Sequence, residues 1–329
     1  MWPRAGAGAD GLGYEHHELQ GVLQEVAVRS SRQRCIGPAG RSARPRGGLA
    51  ASPEQIGRVM FSYVDPTVKS ELLKDGKLVW IDEHGKPLQD NGAQPFISIV
   101  GPVPLPVRVG SGSKTMRWYA SVRHSDLDRI EGVVQEVRKN GPLTLFALLA
   151  DHMAVNSTLV YGEFAAAEAP LVRVHSNCLT GDVFGSMRCD CGPQLQAAIE
   201  QVVREGAGAV VYMAGHEGRG IGLWAKAITY LLQDAGQDTY QANERLGLPV
   251  DSRDFSDAGR VLLYLRKGKR RIRLLGNNPL KRQALEEMGL EVVSQESLVV
   301  GVTDFNQRYL ESKREHGHLL PDLLVPPTR

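Results

Sequence analysis

Long apolar runs are missing from this chain. No stretch approaches the ~20 residues that a membrane helix requires, so no membrane association is expected. The N-terminus has no apolar h-region, which gives no expectation of secretion. An excess of one charge is missing too: Lys and Arg number 39 against 37 Asp and Glu, a net charge of +2. Bulk electrostatics therefore supply no pull toward nucleic acid. Cysteine is scarce, with four in 329 residues. That is too few for a disulfide framework and fits a reducing cytoplasm.

Three of those four, Cys178, Cys189 and Cys191, fall within one short stretch, C-L-T-G-D-V-F-G-S-M-R-C-D-C-G. Cys189 and Cys191 are two apart, so one turn can aim both sulfurs at a point. The Gly181-Asp182 segment lets the chain loop back with Cys178. Three thiolates suit zinc, and a missing fourth cysteine leaves a position for water, the pattern of catalytic rather than structural sites. Buried free thiols or a disulfide are the bland readings. A disulfide would leave one cysteine over.

Composition divides the chain. Residues 1–50 are rich in Gly, Ala and Arg, with six arginines from Arg29 to Arg46 and no acid among them. Such a segment buries too little to offset its ordering entropy. It reads as a disordered tail or an early start site. An Arg-rich transit peptide is the sharper alternative, weakened by Asp10, Glu15, Glu18 and Glu25. Residues 51–101 carry no chemical motif and read as a small accessory segment, with a helix over 53–73 and a strand over 77–81. From 97 the pattern turns β-rich, with strands expected over 97–100, 105–107, 117–122, 157–161 and 171–174. After Cys191 helices and strands alternate: helix to Gly206, strand 209–213, helix 223–235, strand 271–275, helix 279–288, strand 290–293. The expected fold is mixed α/β, a β-rich N-terminal part of the catalytic domain followed by alternating helices and strands.

Four further segments carry chemistry. G-H-E-G-R-G-I-G, residues 215–222, joins a strand to a helix. Its backbone amides and the helix N-terminus suit an anion, and Arg219 can grip a phosphate. A tight structural turn is the competing reading. Strand alternation sends Arg173 and His175 to one side, either as a charged site face or as an exposed strand end. Asp251-Ser252-Arg253-Asp254 is a dense charge cluster whose usual explanation is a solvated helix start. Gly276-Asn277-Asn278-Pro279-Leu280-Lys281 is a strand-to-helix loop that places Lys281 one turn into the helix. Tyr230, on the helix after the Gly-rich loop, is a core tyrosine by default.

Taken together and in this order, these segments resemble GTP cyclohydrolase II over residues 102–320. The match includes R-V-H-S-N-C-L-T-G-D, R-C-D-C-G, G-H-E-G-R-G-I-G-L, L-Q-D-A-G-Q-D-T, A-N-E-R-L-G-L-P-V-D-S-R-D-F, N-N-P-L-K and R-Y-L-E-S-K-R-E-H-G-H-L-L. Residues 321–329 form a short C-terminal tail beyond it. The resemblance implies a cytoplasmic homodimer with one zinc per chain and magnesium with the nucleotide. It implies conversion of GTP to a diaminopyrimidinone ribosylamino phosphate with release of formate and pyrophosphate, the first step of riboflavin synthesis. It assigns zinc to Cys178, Cys189 and Cys191. GTP contacts fall to Arg173, Val174, His175, Ser176, Asn177, Gln194, Glu217, Gly218, Arg219, Thr239, Gly276 and Lys281. Asp251 matches a proton acceptor, Arg253 a nucleophile toward the α-phosphorus, and Tyr230 an active-site tyrosine.

Three positions depart from the family pattern: Gly276 where threonine is usual, and Ala214 and Ile228 where arginines are frequent. Restoring a threonine at 276 is expected to tighten GTP binding or sharpen guanine preference. The departures keep open a divergent relative that stops at the formylated intermediate or takes another purine nucleotide. A structural zinc module is the alternative of another class. It would need a fourth ligand, for which His175 and His216 are the candidates. Nothing in the first hundred residues resembles the dihydroxybutanone phosphate synthase often fused upstream.

Overall fold

The computed structural model describes residues 66–88, 94–127 and 154–321, all within one unit, Ser52–Arg329. The readings made for the Arg-rich tail, for the start of the 53–73 helix and for residues 322–329 lie outside the described residues.

Eight strands form one mixed sheet in the order β1-β2-β3-β4-β6-β5-β7-β8. They are β1 (Leu78–Ile81), β2 (Ile97–Val109), β3 (Gly112–Arg123), β4 (Asn156–Tyr161), β5 (Leu171–Ser176), β6 (Gly208–Met213), β7 (Arg271–Leu275) and β8 (Glu291–Glu296). β1 through β4, and the joint of β4 to β6, pair antiparallel. β6, β5, β7 and β8 pair parallel. The β-rich first part and the alternating second part are thus two ends of one sheet. The boundary expected between 101 and 102 falls inside β2, because Ile97–Val100 pair with both β1 and β3. Strands expected as separate pieces over 97–107 are one long strand broken by a register shift between Val100 and Val103. Pro104 and Pro106 are tolerated there because this half of β2 pairs only with β3, so the missing N–H groups can face outward.

The parallel end is covered on both faces, as strands rich in Val, Ile and Leu require. Val172, Val174, Val211 and Met213 point to one face and meet Ala258 and Leu262 of a helix at Ser256–Leu265 and Leu285 of a helix at Pro279–Glu287. Leu171 and Val210, each one residue out of phase, point to the other face. There they meet Ala198, Ile199 and Val202 of the helix Cys191–Arg204. Each such buried side chain contributes roughly 1.5–3 kcal/mol. In chain order the helices are α1 (Pro66–Lys74), α2 (Leu179–Asp182), α3 (Cys191–Arg204), α4 (Gly222–Asp234), α5 (Thr239–Arg245), α6 (Ser256–Leu265), α7 (Pro279–Glu287) and α8 (Gln307–Glu315), with a 3₁₀ turn at Ala214–Gly220. Neither α5 nor α8 was expected from pattern, and α2 falls where a loop was read. α8 shows why: of its nine residues only Leu310 and Tyr309 are apolar or aromatic, too few for a legible stripe. α5 did carry a signal, the Asp238/Gln241 capping box at its start.

Candidate metal centre and active site

Three parallel strands end at the same edge, and each feeds a segment into one site. β5 runs into Asn177 and Cys178, β6 into the Gly-rich turn, and β7 into Gly276 through Lys281. Crevices outside the carboxyl ends of parallel strands are where open α/β sheets bind ligands.

The sulfurs of Cys178, Cys189 and Cys191 lie within 4.8 Å of one another, and the pair Cys178–Cys189 is 3.6 Å apart. All three cysteines are free thiols rather than disulfides. α2 folds the chain back between them, with the Asp182 carboxylate accepting from the Cys178 amide at 2.9 Å. Gly181 sits inside the ring of sulfurs. A Cβ there would stand 2.9 Å from Cys189 Sγ and 3.2 Å from Cys178 Sγ. Hydrogen bonds from Cys189 and Cys191 pull Cys178 well below the ordinary thiol range. The contact to Cys178 pushes Cys189 up to about 11 and Cys191 well above its usual range. A soft donor set and a cradle kept open by glycine fit a zinc-type ion.

Two clefts adjoin the cluster and share Ser176, Cys191 and Arg253 in their walls. The first holds Asn177, Glu217, Gly218, Arg219 and Tyr230; the second holds Arg173, His175, Gln194 and Lys281. The Gly-rich turn is not a simple helix start. Gly218 and Arg219 have φ of 59° and 67°, so two successive residues are left-handed. Arg219 stacks on Tyr240 at 3.6 Å, and its carbonyl accepts from Ser252 N at 3.1 Å. Asp251 and Arg253 are not a solvated helix start, since their side chains are only 22% and 11% exposed. They form a two-point ion pair, Nε to Oδ1 at 2.8 Å and Nη2 to Oδ2 at 2.5 Å, leaving Nη1 to donate to Ser176 Oγ at 3.3 Å. Burial works against the Asp251 carboxylate, but the Arg253 hydrogen bonds hold it below its ordinary range.

Arg173 and His175 are both buried, so neither is an exposed strand end. Arg173 donates to Gln194 Oε1 at 2.7 Å and to the Leu275 carbonyl at 3.2 Å. His175 Nε2 donates to Asp182 at 3.1 Å, and its ring stacks on Tyr212. Burial keeps that imidazole neutral despite Asp182. His216 donates from Nε2 to the Asp254 carbonyl at 3.1 Å and accepts at Nδ1 from Ser176 Oγ at 3.3 Å. Burial, then the charges of Arg253 and Lys281, push it down to about 4. Lys281 is buried, donates to the Val174 carbonyl at 2.8 Å, and is pushed well below the ordinary lysine range by burial and by Arg173. Tyr230 lies on the α4 face toward the cysteines, its hydroxyl 3.1 Å from Thr180 Oγ1. The Val174 side chain points into the core instead, so only its backbone faces Lys281. Thr239 opens α5.

Residues 139–297, just under half of the chain, match the GTP cyclohydrolase II family. Over this segment the chain is similar to that family. Curated relatives named riboflavin biosynthesis protein RibBA match at comparable levels. The one from Salinispora arenicola is 51% identical over 184 residues, 55% of this chain and 43% of the relative. Those from Mycobacteroides abscessus and Salinispora tropica are 52% and 54% identical over 174 and 172 residues, covering 53% and 52% of this chain and 41% and 42% of the relatives. The chain thus spans about two fifths of the length of the curated relatives it matches.

Two features of this site were not read from sequence. Gly276 has φ +147°, and a Cβ there would stand 2.4 Å from Arg173 Nη1. The expectation that threonine at 276 would add a useful hydroxyl is therefore corrected. Glycine lets the buried Arg173 guanidinium lie against the backbone. The second feature is a set of site residues supplied by helices. Lys226 of α4, Asp190 beside the cysteines, and Tyr309 and Lys313 of α8 all reach the clefts. Lys313 lies 2.7 Å from Asp190, which also accepts from Gln194 at 2.6 Å. Lys226 and Tyr230 are four apart on one helix, a spacing that was readable once Tyr230 was singled out.

Proposed function

We propose that this chain hydrolyses GTP, opening the guanine imidazole ring with release of formate and pyrophosphate. The product would be 2,5-diamino-6-(5-phosphoribosylamino)pyrimidin-4(3H)-one, the first step of riboflavin biosynthesis. The observation that carries this reading is the meeting of a three-sulfur cradle with a buried cationic cleft through the shared wall at Arg253. Bound at Cys178, Cys189 and Cys191, zinc would supply an activated water for addition at C8. Three thiolates leave such a site formally negative, which weakens that activation. Tyr230 would offset the weakness by donating a proton as the ring opens. Its hydroxyl is kept in the phenol form chiefly by burial.

The triphosphate would lie where Arg173, Arg253 and Lys281 gather, with Mg²⁺ neutralising the leaving pyrophosphate. Arg253 would clamp the α-phosphate, held in register by the two-point pair with Asp251. A guanidinium already held along its Nε–Nη2 edge by a carboxylate is a poor nucleophile and a good clamp. Glu217, Gly218 and Arg219 would line the nucleotide, with Ser176, Asn177 and Gln194 setting its orientation. We also propose a homodimer. Trp224 and Leu231, two turns apart on α4, are 83% and 70% exposed and suit a second copy. No helix among the described residues is long and apolar enough to cross a membrane. Free thiols support a cytoplasmic setting.

Incubation with GTP, Zn²⁺ and Mg²⁺, assaying formate, pyrophosphate and pyrimidine mass, tests the reading. All three products are expected. Accumulation of the formylated nucleotide would favour a divergent relative, and absence of turnover with intact zinc binding would favour a structural zinc module.

A further inference from the structure

Lys226 is a cation enclosed beside the sulfur cluster, 7% exposed. Its three ammonium hydrogens meet three acceptors, two on the cysteine segment and one on the Gly-rich turn. They are Cys178 Sγ at 3.1 Å, Thr180 Oγ1 at 3.0 Å and Glu217 Oε1 at 2.6 Å. An ammonium has three donors and no acceptor, so this set satisfies it completely. Glu217 spends its other oxygen on the Leu179 amide, 2.7 Å away, one residue past Cys178. Thr180 continues the chain of contacts to the Tyr230 hydroxyl at 3.1 Å. The ammonium therefore joins one sulfur of the cluster to the acid of the Gly-rich turn and, through Thr180, to Tyr230.

We infer that Lys226 is a positioning residue for the metal centre, donating to the Cys178 sulfur from outside the ligand set and tying that sulfur to Glu217 of the nucleotide turn. This rests on the proposed three-sulfur metal site. A hydrogen bond to a thiolate withdraws electron density from it. The sulfur then donates less charge to a bound ion, and the ion stays more electrophilic than three unassisted thiolates allow. Outer partners of metal ligands govern both ligand orientation and metal affinity. The same ammonium neutralises Glu217, so a change at the metal reaches the turn that would hold the nucleotide.

The test uses the full chain loaded with Co²⁺ or Zn²⁺. Lys226→Met keeps the length and removes the donor. It is expected to weaken zinc binding roughly 10–100-fold in chelator competition, because loss of the contact that orients the Cys178 sulfur outweighs its stronger donation. It should also move the sulfur-to-cobalt charge-transfer band to lower energy, because an unassisted thiolate gives up an electron more easily. Lys226→Met with Glu217→Gln removes the buried carboxylate as well and should keep both changes. If the double variant regains native affinity and the native band, Lys226 merely neutralises Glu217 and the inference is wrong. Native affinity and an unshifted band in Lys226→Met also overturn it. Should the single variant fail to fold, the double variant decides, since it leaves no unpaired buried charge. Should neither fold, the native protein labelled with ¹⁵N-lysine decides. The Lys226 ammonium resonance must move on zinc addition, and a static resonance refutes the contact. A native chain that binds neither ion sinks the metal reading itself.

Discussion

Replacing Gly276 should destabilise the protein through Arg173 rather than improve nucleotide binding. At φ +147° an L residue is strained, and the new Cβ would overlap Arg173 Nη1 at 2.4 Å. Arg173 cannot simply swing away. It is buried, its Nη2 is held by Gln194 at 2.7 Å, and its Nη1 donates to Leu275 O at 3.2 Å. Backbone strain costs about 1–3 kcal/mol, and loss of a charge-assisted hydrogen bond about 1.5–3 kcal/mol more. A total of about 2.5–6 kcal/mol corresponds to a fall in Tm of roughly 5–24 °C for a unit of this size. Thermal unfolding of Gly276→Ala and Gly276→Thr, each with and without GTP, measures it. Both should fall, with alanine accounting for most of the loss because the Cβ is the cause. A threonine variant that melts within about 1 °C of the native protein and binds GTP more tightly would refute this account.

Other outcomes follow from the same geometry. Gly181→Ala puts a methyl 2.9 Å from Cys189 Sγ, so bound zinc measured by atomic absorption should drop, and Cys178→Ser, Cys189→Ser and Cys191→Ser should each abolish it. Stability should decline with acid before the carboxylates titrate. Buried neutral His216 has its pKa pushed down to about 4 against ~6.5 in the unfolded chain, so its contribution is complete above about pH 6.5 and is lost as pH falls toward 4. Tm measured across that window should slope, and His216→Asn should flatten the slope. Tyr230→Phe should impair formate release by roughly 10²–10⁴-fold, the usual range for a lost acid–base group, with nucleotide affinity little changed. Arg253→Ala should lose pyrophosphate release, and phosphoryl label trapped on arginine after rapid quenching of α-labelled GTP would overturn the clamp reading.

Much of the site was legible because it is written in contiguous pieces. A strand that ends in R-V-H-S-N-C and a turn that reads G-H-E-G-R-G each deliver several residues in register, so spacing alone proposes their convergence. The parallel strands were legible for the same reason, as short apolar runs bounded by glycine. Burial was less readable. Arg173, His175 and Lys281 look like surface charges in a linear text, and only the covering helices make them interior groups. The charge cluster at Asp251–Arg253 looked like a helix start because sequence carries no sign that its two-point pair faces a cleft. Gly276 misled in the opposite sense. Its lack of a hydroxyl is visible in sequence, whereas the guanidinium that needs the space comes from residue 173.

What the linear pattern could not supply is the contribution of helix faces to a site built on strand ends. Lys226 and Lys313 come from α4 and α8, which lie over the cysteine segment from different directions. Each carries one ammonium to an anionic group of that segment, Lys226 to Cys178 and Lys313 to Asp190. The cysteine segment is thus held between two cations, while Arg173, Arg253 and Lys281 gather at the adjoining cleft. Burial, then repulsion from Arg173, Arg253 and Lys313, pushes Lys281 well below its ordinary range. That repulsion is relieved when negative charge arrives. Under the proposed function a bound triphosphate would supply that charge, as expected of a site that spends folding stability on binding its substrate.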